Sequence, residues 1–494
     1  MEMSKGFSIL FLLGTLSFPA ILYANSADIE NRGSMNILVQ PAFGDLDAIF
    51  DRGILRILVT HSQTDFFFDK GQIRGMQVEI VRTFLARLNA GRTNRFHASE
   101  ANRIFPQYVP VAFSELIPSL LAGEGDIAAA FLTVTAEREA LVDFVSPQGR
   151  NIAEIVVSHH NAPTINRLAD LAGKKVYVLR SSSYVRHLEA LNQQFEIVDL
   201  PPVEIIEADT QLLTEDILEL VNAGIVDYTI CDDFKAQLWQ KVLPDIRLHL
   251  NARVSENQFA GWAIRPGSPL LLAALNEFSS DVKKGSLMGN ILFNKYYAST
   301  QWIDNPLSPT DRDKFQQLFH LFLQYGNQYR FDPLALAAQA YQESRFKQEL
   351  RSHRGAIGVM QVLPSTASDP NVAIPDISSL KNNIHAGTKY LDFLRERYFS
   401  GEEIDPINQR LFSWAAYNAG PANIIRIRRA AEENGLDPNV WFGNVEHMAA
   451  KLISREPVQY VANVYKYYTA YRLVDRQSPS SILNAVHSNE PKPY

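Results

Sequence analysis

Two hydrophobic periods divide the chain near residue 300. Up to Tyr297, short runs of β-branched and aliphatic residues alternate with stretches whose apolar positions recur at helical spacing. Ile54-Leu55-Arg56-Ile57-Leu58-Val59 reads as a strand, and Met76 to Asn89 reads as a helix. Asp126 to Phe131 is a short strand before Thr135-Ala136-Glu137-Arg138. Lys175 to Leu179 is another, closed by the polar turn Arg180-Ser181-Ser182-Ser183. This alternation predicts α/β units with parallel strands. Beyond Tyr297 the period changes. Asp304-Asn305-Pro306-Leu307-Ser308-Pro309 reads as a linker. Asp332-Pro333 then opens a helix, with Asp as N-cap and Pro in the first turn, and Leu336, Ala337, Ala340 and Tyr341 share one face. Leu380 to Phe399 and Glu456 to Val474 are further long amphipathic stretches. The tail from Ser478 is rich in Ser, Pro and Asn, the composition of a segment that does not pack.

The first residues add a destination. Lys5 precedes an apolar run from Phe7 to Ala24, and the small residues Ala24, Ser26 and Ala27 follow. Residues 1–27 therefore read as a secretory signal peptide or an N-terminal anchor. Gly14 and Pro19 interrupt the run, which favours the signal peptide, and no cysteine lies there to carry a lipid. The expected location is the periplasm, with peripheral attachment to the inner face of the outer membrane. Composition changes little else. A net charge of -7 gives no sign of nucleic-acid binding. The single cysteine, Cys231, allows neither an internal disulfide nor a thiolate metal site, and no metal or other cofactor is expected.

The helical part carries three short motifs in order. They are Glu343-Ser344, then Gly355-Ala356-Ile357-Gly358-Val359-Met360-Gln361, then Ala416-Tyr417-Asn418-Ala419-Gly420. A weaker fourth element is Arg455-Glu456 with Tyr460-Val461. The ordered set resembles the lysozyme-like catalytic domain of the soluble-type lytic transglycosylases from roughly Leu318 to Tyr468. The chemistry is consistent with the residues. Glycoside cleavage needs an acid to protonate the leaving oxygen, and a Glu partly buried at the end of an apolar helix stays protonated near neutral pH. Most glycosidases add a second carboxylate, and none belongs to this motif set. The resemblance implies a substrate-assisted route, in which the 2-acetamido group of N-acetylmuramic acid attacks its own anomeric carbon and a 1,6-anhydro product leaves. It also implies that Ser344 and Gln361 orient substrate, that Met360 walls the cleft, and that Tyr417, Asn418 and Tyr460 lie near the reacting sugar. Gly355 and Gly358 are expected to let their loop approach the glycan. Pro457 and Ala422 depart from the family's commoner Thr and Gly.

Gly53 to Tyr297 resembles the family 3 solute-binding domains. The carrying residues are Gly75-Met76-Gln77-Val78-Glu79, Leu116-Ile117-Pro118-Ser119-Leu120, Thr133-Val134-Thr135-Ala136-Glu137-Arg138, and Phe144 with Ser146-Pro147. The resemblance implies that Arg138 pairs with a ligand carboxylate, that Thr133 and Ser183 supply hydroxyls, and that Asp232 meets a ligand ammonium. Phe131 and Arg180-Ser181 depart from the family pattern, which leaves the ligand open between an amino acid and a muropeptide fragment. The expected architecture is an α/β two-lobed domain over 45–297, with lobes 52–144 plus 255–297 and 151–250. A linker over 298–310, a predominantly α lysozyme-like domain over 311–476 and a tail over 477–494 follow. The pair suggests a wall-cleaving enzyme acting on peptidoglycan glycan strands, with a ligand-binding domain that regulates it. Two other readings compete. One is a hydrolytic muramidase, with Asp369 or Asp376 as a second carboxylate. The other is a wall-ligand sensor with an inert C-terminal domain.

Overall fold

The computed structural model describes residues 41–69, 72–93, 103–145, 152–283, 285–298, 309–454 and 456–477. The apolar N-terminal run, most of the linker, Ser146-Pro147 and the tail lie outside them.

The N-terminal half folds as two α/β lobes. Lobe one holds β1 (Ile54–Val59), β4 (Phe105–Pro110), β5 (Ile127–Thr133), β6 (Asp143–Phe144) and β12 (Ala260–Ile264) in the order β4-β1-β5-β12-β6. A separate hairpin pairs β2 (Phe67–Asp69) with β3 (Gln72–Arg74). Lobe two holds β7 (Ile152–His159), β8 (Lys175–Val178), β9 (Glu204–Glu207), β10 (Tyr228–Asp232) and β11 (Ile246–Gln258) in the order β11-β7-β10-β8-β9. Parallel pairing holds for β1 with β4 and β5, and for β8 with β9 and β10. The expected parallel α/β units are present, and each sheet also carries antiparallel strands. β12 runs antiparallel to β5 and β6, and β7 antiparallel to β10 and β11. The reason lies in the crossovers. β7 and β12 each start just after the chain passes from one lobe to the other, so they enter their sheets from the cleft side and run away from it. Only Phe259 separates β11 from β12.

β1 shows why such strands read as continuous apolar runs. Leu55, Ile57, Leu58 and Val59 are all buried, because this sheet is covered on both faces. Arg56 is buried among them and pairs with Asp126 at 2.7 Å, while Arg52 and Arg265 approach the same carboxylate at 2.7 and 3.4 Å. Burial pushes Asp126 up, but the hydrogen bonds and charges of Arg56 and Arg52 more than reverse this and hold it below its ordinary value.

The helices used below are α1 (Met76–Thr93), α2 (Ser183–Ile197), α3 (Thr214–Asn222), α4 (Asp233–Trp239), α5 (Pro309–Tyr329), α6 (Pro333–Ser344), α7 (Leu380–Tyr398), α8 (Pro406–Ala419), α9 (Pro421–Glu433), α10 (Glu446–Leu452) and α11 (Glu456–Gln477). From α5 onward the described chain is helical. Two starts use the same device: Asp332 and Asp405 accept backbone N–H groups of the first turn, with Pro333 and Pro406 next. α6 is nearly enclosed, packed against α5 and α11. α11 also meets lobe two. Lys466 forms ion pairs with Asp216 and Glu219 of α3, and the Tyr465 hydroxyl donates to Asp209 at 3.4 Å.

Candidate active site

Glu343 sits in the last turn of α6, one residue before its end. The chain leaves the helix through Arg345 and Phe346, both in the left-handed region with φ of 52° and 61°. Glu343 is half-buried, and its Oε1 accepts a 2.6 Å hydrogen bond from the Tyr460 hydroxyl of α11. Burial raises its carboxyl from 4.5 to about 7, although the Tyr460 hydrogen bond pulls the other way. No second carboxylate among the described residues contributes to that shift. Asp369 and Asp376 are exposed and engaged in their own turns, Asp369 with Asn371 and Asp376 with Ser378. The arrangement is a neutral acid able to donate a proton at physiological pH and take one back.

The second motif is a tight loop closed by reciprocal Ile357–Val362 backbone hydrogen bonds of 3.0 Å. Side chains from outside the loop pin it, Gln348 among them, which accepts from the Val359 N–H at 3.2 Å. Asn383 of α7 accepts from the Met360 N–H at 2.8 Å and donates to the Ile357 carbonyl at 2.7 Å. Ser344 donates to the Val359 carbonyl at 2.9 Å. Tyr417 donates to the Met360 carbonyl at 2.7 Å. One residue each from the first and third motifs thus holds the backbone of the second. Gln361, with φ of 45°, is half-buried and donates to the Gly358 carbonyl at 2.9 Å. Asn418 is half-buried near the end of α8.

Three expectations are corrected here. Ser344 is 4% exposed with its hydroxyl bonded to backbone, so it orients the loop and does not present itself to a substrate. Met360 is 0% exposed and packs against Gly387, where a Cβ would come within 2.6 Å of it, so its side chain lies beneath the cleft. Gly358 is crowded by Asn383 and Gln348, and its need for glycine is internal; Gly355 alone faces open space.

In the N-terminal domain three of the four residues taken for the ligand, Arg138, Ser183 and Asp232, have side chains engaged with the protein, and Thr133 is buried. Arg138 donates to the Thr133 carbonyl at 2.7 Å and, across the lobes, to the Ser181 carbonyl at 3.1 Å. The Ser183 hydroxyl donates to buried Glu154 at 2.7 Å, and Glu154 also meets His187 at 2.6 Å. Asp232 accepts from Tyr184 at 3.0 Å, and its carboxyl is pushed up to about 6, by burial first. One small cavity between the lobes is lined by other residues, among them Asp65, Glu215 and Lys235, and a larger one of about 250 Å3 is lined by Phe113, Arg138 and Ser181, among others.

Residues 320–439 match the family described as transglycosylase SLT domain, and residues 55–298 match bacterial extracellular solute-binding proteins, family 3. Among curated relatives, membrane-bound lytic murein transglycosylase F of Desulfosudis oleivorans is 28% identical over 441 residues, covering 85% of this chain and 90% of the relative. The protein of that name from Pseudomonas fluorescens is 26% identical over 444 residues, 86% and 85% of the two chains. This chain is similar to membrane-bound lytic murein transglycosylase F along most of its length. An ancestral arginine-binding protein bound to arginine aligns with 50% of this chain and 99% of its own, at 22% identity and a TM-score of 0.41.

Sequence reasoning missed three residues of the site. Asn383 is one, a buried amide that sets the motif loop. Gln339 is another: 0% exposed, one helical turn before Glu343, with its side chain acting on the Tyr460 hydroxyl. The third is Lys466, which joins the Tyr460 helix to lobe two. Each is a polar residue within an apolar stripe, and that interruption is the signal that was available.

Proposed function

We propose that the protein cleaves the β-1,4 bond between N-acetylmuramic acid and N-acetylglucosamine in peptidoglycan without consuming water, with Glu343 as its acid and then its base. The observation that carries the reading is the Glu343 carboxyl held near 7 with no second carboxylate to perturb it. The murein-degrading class follows from the catalytic domain and the transglycosylase F relatives. In the first step Glu343 gives its proton to the leaving glycosidic oxygen, while the substrate's 2-acetamido oxygen bonds to the anomeric carbon. In the second, the Glu343 carboxylate takes the proton of the same sugar's 6-hydroxyl. That oxygen bonds to the anomeric carbon, the acetamido oxygen departs, and a 1,6-anhydro end forms with Glu343 protonated again. Tyr460 holds the carboxyl in place through both steps, and Tyr417 keeps the Met360–Gln361 loop beside it.

Domain limits of 45–297 and 311–476 suit this reading, with the described helices of the catalytic part beginning at Pro309. The N-terminal domain is read as a ligand-binding module that regulates cleavage. The proposed location is the periplasm at the inner face of the outer membrane; no helix among the described residues is long and apolar enough to cross a membrane. Mass spectrometry of products from purified murein sacculi tests the reaction. Anhydromuropeptides are expected. Reducing ends would favour a hydrolase, and no release would leave a binding protein.

A further inference from the structure

Gln339 interrupts the buried part of α6. From Leu334 to Tyr341 the helix turns Leu, Ala and Tyr side chains into the core, and Gln339 lies among them at 0% exposure. A buried amide costs stability unless it meets a hydrogen-bond partner. Its partner is in the active site. Gln339 precedes Glu343 by four residues, so the two side chains share one face of the helix. Tyr460 of α11 packs against α6 and is 6% exposed, with its hydroxyl donating to Glu343 Oε1 at 2.6 Å. Burial and the neighbouring Glu343 carboxyl push the phenol well above its ordinary value, and a hydrogen bond from the Gln339 side chain pulls it the other way. A group that favours the phenolate is one that donates to the phenol oxygen. Gln339 therefore offers its amide N–H to Tyr460, not its carbonyl.

We propose that Gln339 is a positioning residue for the cleavage reaction: its amide N–H, donated to the Tyr460 oxygen, turns the phenol's one hydrogen toward Glu343. The proposal rests on the reading of Glu343 as acid and base. A tyrosine hydroxyl donates one hydrogen and can also accept. If Tyr460 accepted from Glu343 instead, the acid's proton would lie on Oε1, facing the phenol rather than a sugar. The phenol hydrogen would then need an acceptor, which a Gln339 carbonyl could be and its N–H cannot. With the N–H in place, Oε1 accepts from Tyr460 and Oε2 carries the proton that leaves in the first step. In the second step the same hydroxyl meets a carboxylate, and its hydrogen bond strengthens. Donation to the phenol oxygen polarises that hydroxyl further. Gln339 thus acts on the acid through Tyr460 and touches no reacting atom.

Two phenols face Glu343, Tyr460 from α11 and Tyr417 from α8. Both are held well above their ordinary value, by burial first, so neither ionises where Glu343 does. Among the described residues, α5 adds no titratable group to the Glu343 shift, and no charged side chain contributes to it. The alkaline limb of the activity profile therefore reports Glu343.

The pH dependence of turnover on purified murein sacculi tests this with the full chain. In Gln339→Leu the alkaline midpoint should rise by about 0.5 pH unit, roughly a threefold change in the ionisation constant. Turnover should fall about threefold, with the half-saturating amount of sacculi within about twofold of wild type. Gln339→Met should behave in the same way, since neither side chain donates a hydrogen bond. In a Tyr460→Phe background, Gln339→Leu should move the midpoint by less than ~0.2 unit, because the phenol oxygen it acts through is gone. A midpoint that stays at the wild-type value in either apolar variant would overturn the inference. So would a further rise of the full size in the Tyr460→Phe background, because Gln339 would then act on Glu343 by packing. If the wild type does not cleave sacculi, or Glu343→Gln cleaves them equally well, the reading of Glu343 falls and the inference with it. Failure confined to the Gln339 variants leaves that reading standing.

Discussion

Asp126 is a fully buried carboxyl and Glu343 a half-buried one, and they end in opposite states. Asp126 lies among three guanidiniums, and its pKa falls despite burial. Glu343 has one neutral hydroxyl for company, and its pKa rises to about 7. Burial alone sets neither outcome; the charge of the neighbours decides. An anion fixed by three cations ties strands and loops together and has no proton to give. An acid left with a single phenol can exchange its proton near neutral pH.

The largest test of this contrast is Glu343→Gln. An amide neither gives nor takes the proton, so cleavage of sacculi should fall by about 10³-fold or more with the fold intact by circular dichroism. Wild-type turnover by this variant would remove Glu343 from the mechanism. Asp126→Asn should act on stability instead. It leaves Arg52, Arg56 and Arg265 around an uncharged amide, and a loss of roughly 3–5 kcal/mol is expected in denaturant unfolding. Cleavage per folded molecule should persist.

The two groups should also give opposite pH dependences of stability. The folded pKa of Glu343 is raised, so the native state holds a proton that the unfolded chain releases between pH 4.5 and about 7. Stability from this group is present below that window and declines as pH rises through it. Glu343→Gln should remove this slope from a series of unfolding midpoints. Asp126, with a lowered folded pKa, stabilises above its ordinary 3.8 and loses that contribution as pH falls through the folded value. Activity itself should decline on the alkaline side with a midpoint near 7, as the acid ionises. Tyr460→Phe removes the hydrogen bond that lowers the Glu343 pKa, so the midpoint should move to higher pH, with turnover reduced about tenfold or less. An unmoved midpoint would mean that Tyr460 only packs. The smallest effect is expected at Gln339→Leu. An apolar side chain of similar size replaces a buried amide beside the Tyr460 hydroxyl, and stability should change by no more than about 1 kcal/mol, read from Tm.

Much of the fold was legible in the chain because its signals are local. The run Ile54 to Val59 is β1 to the residue, and Asp332-Pro333 starts α6 as expected. Strand direction was not legible for β7 and β12, since it depends on which side of a lobe the chain enters. At the site, the motifs gave the right neighbourhood. They did not distinguish side chains facing the cleft from those holding its backbone, as Ser344 and Met360 illustrate. In the N-terminal domain the pattern pointed to Arg138 and Asp232; Arg138 lines one cavity between the lobes, and Lys235 and Glu215 line another. They come from the starts of two helices 20 residues apart in sequence, and only the folded lobes place them together.

Lys466 bears on how the protein can be taken apart. Its ammonium belongs to the catalytic helix α11, while the carboxylates that neutralise it, Asp216 and Glu219, belong to lobe two and are almost fully enclosed. Cutting the chain near residue 310, where the sequence offers a linker, divides the polypeptide neatly and this charge cluster badly. The excised enzyme would carry a bare ammonium on the helix that holds Tyr460. The remaining domain would lose the ammonium that pairs with Asp216 and Glu219. A recombinant fragment of the catalytic part therefore inherits a defect from a residue outside the motifs, and Lys466→Gln in the fragment is the natural first repair.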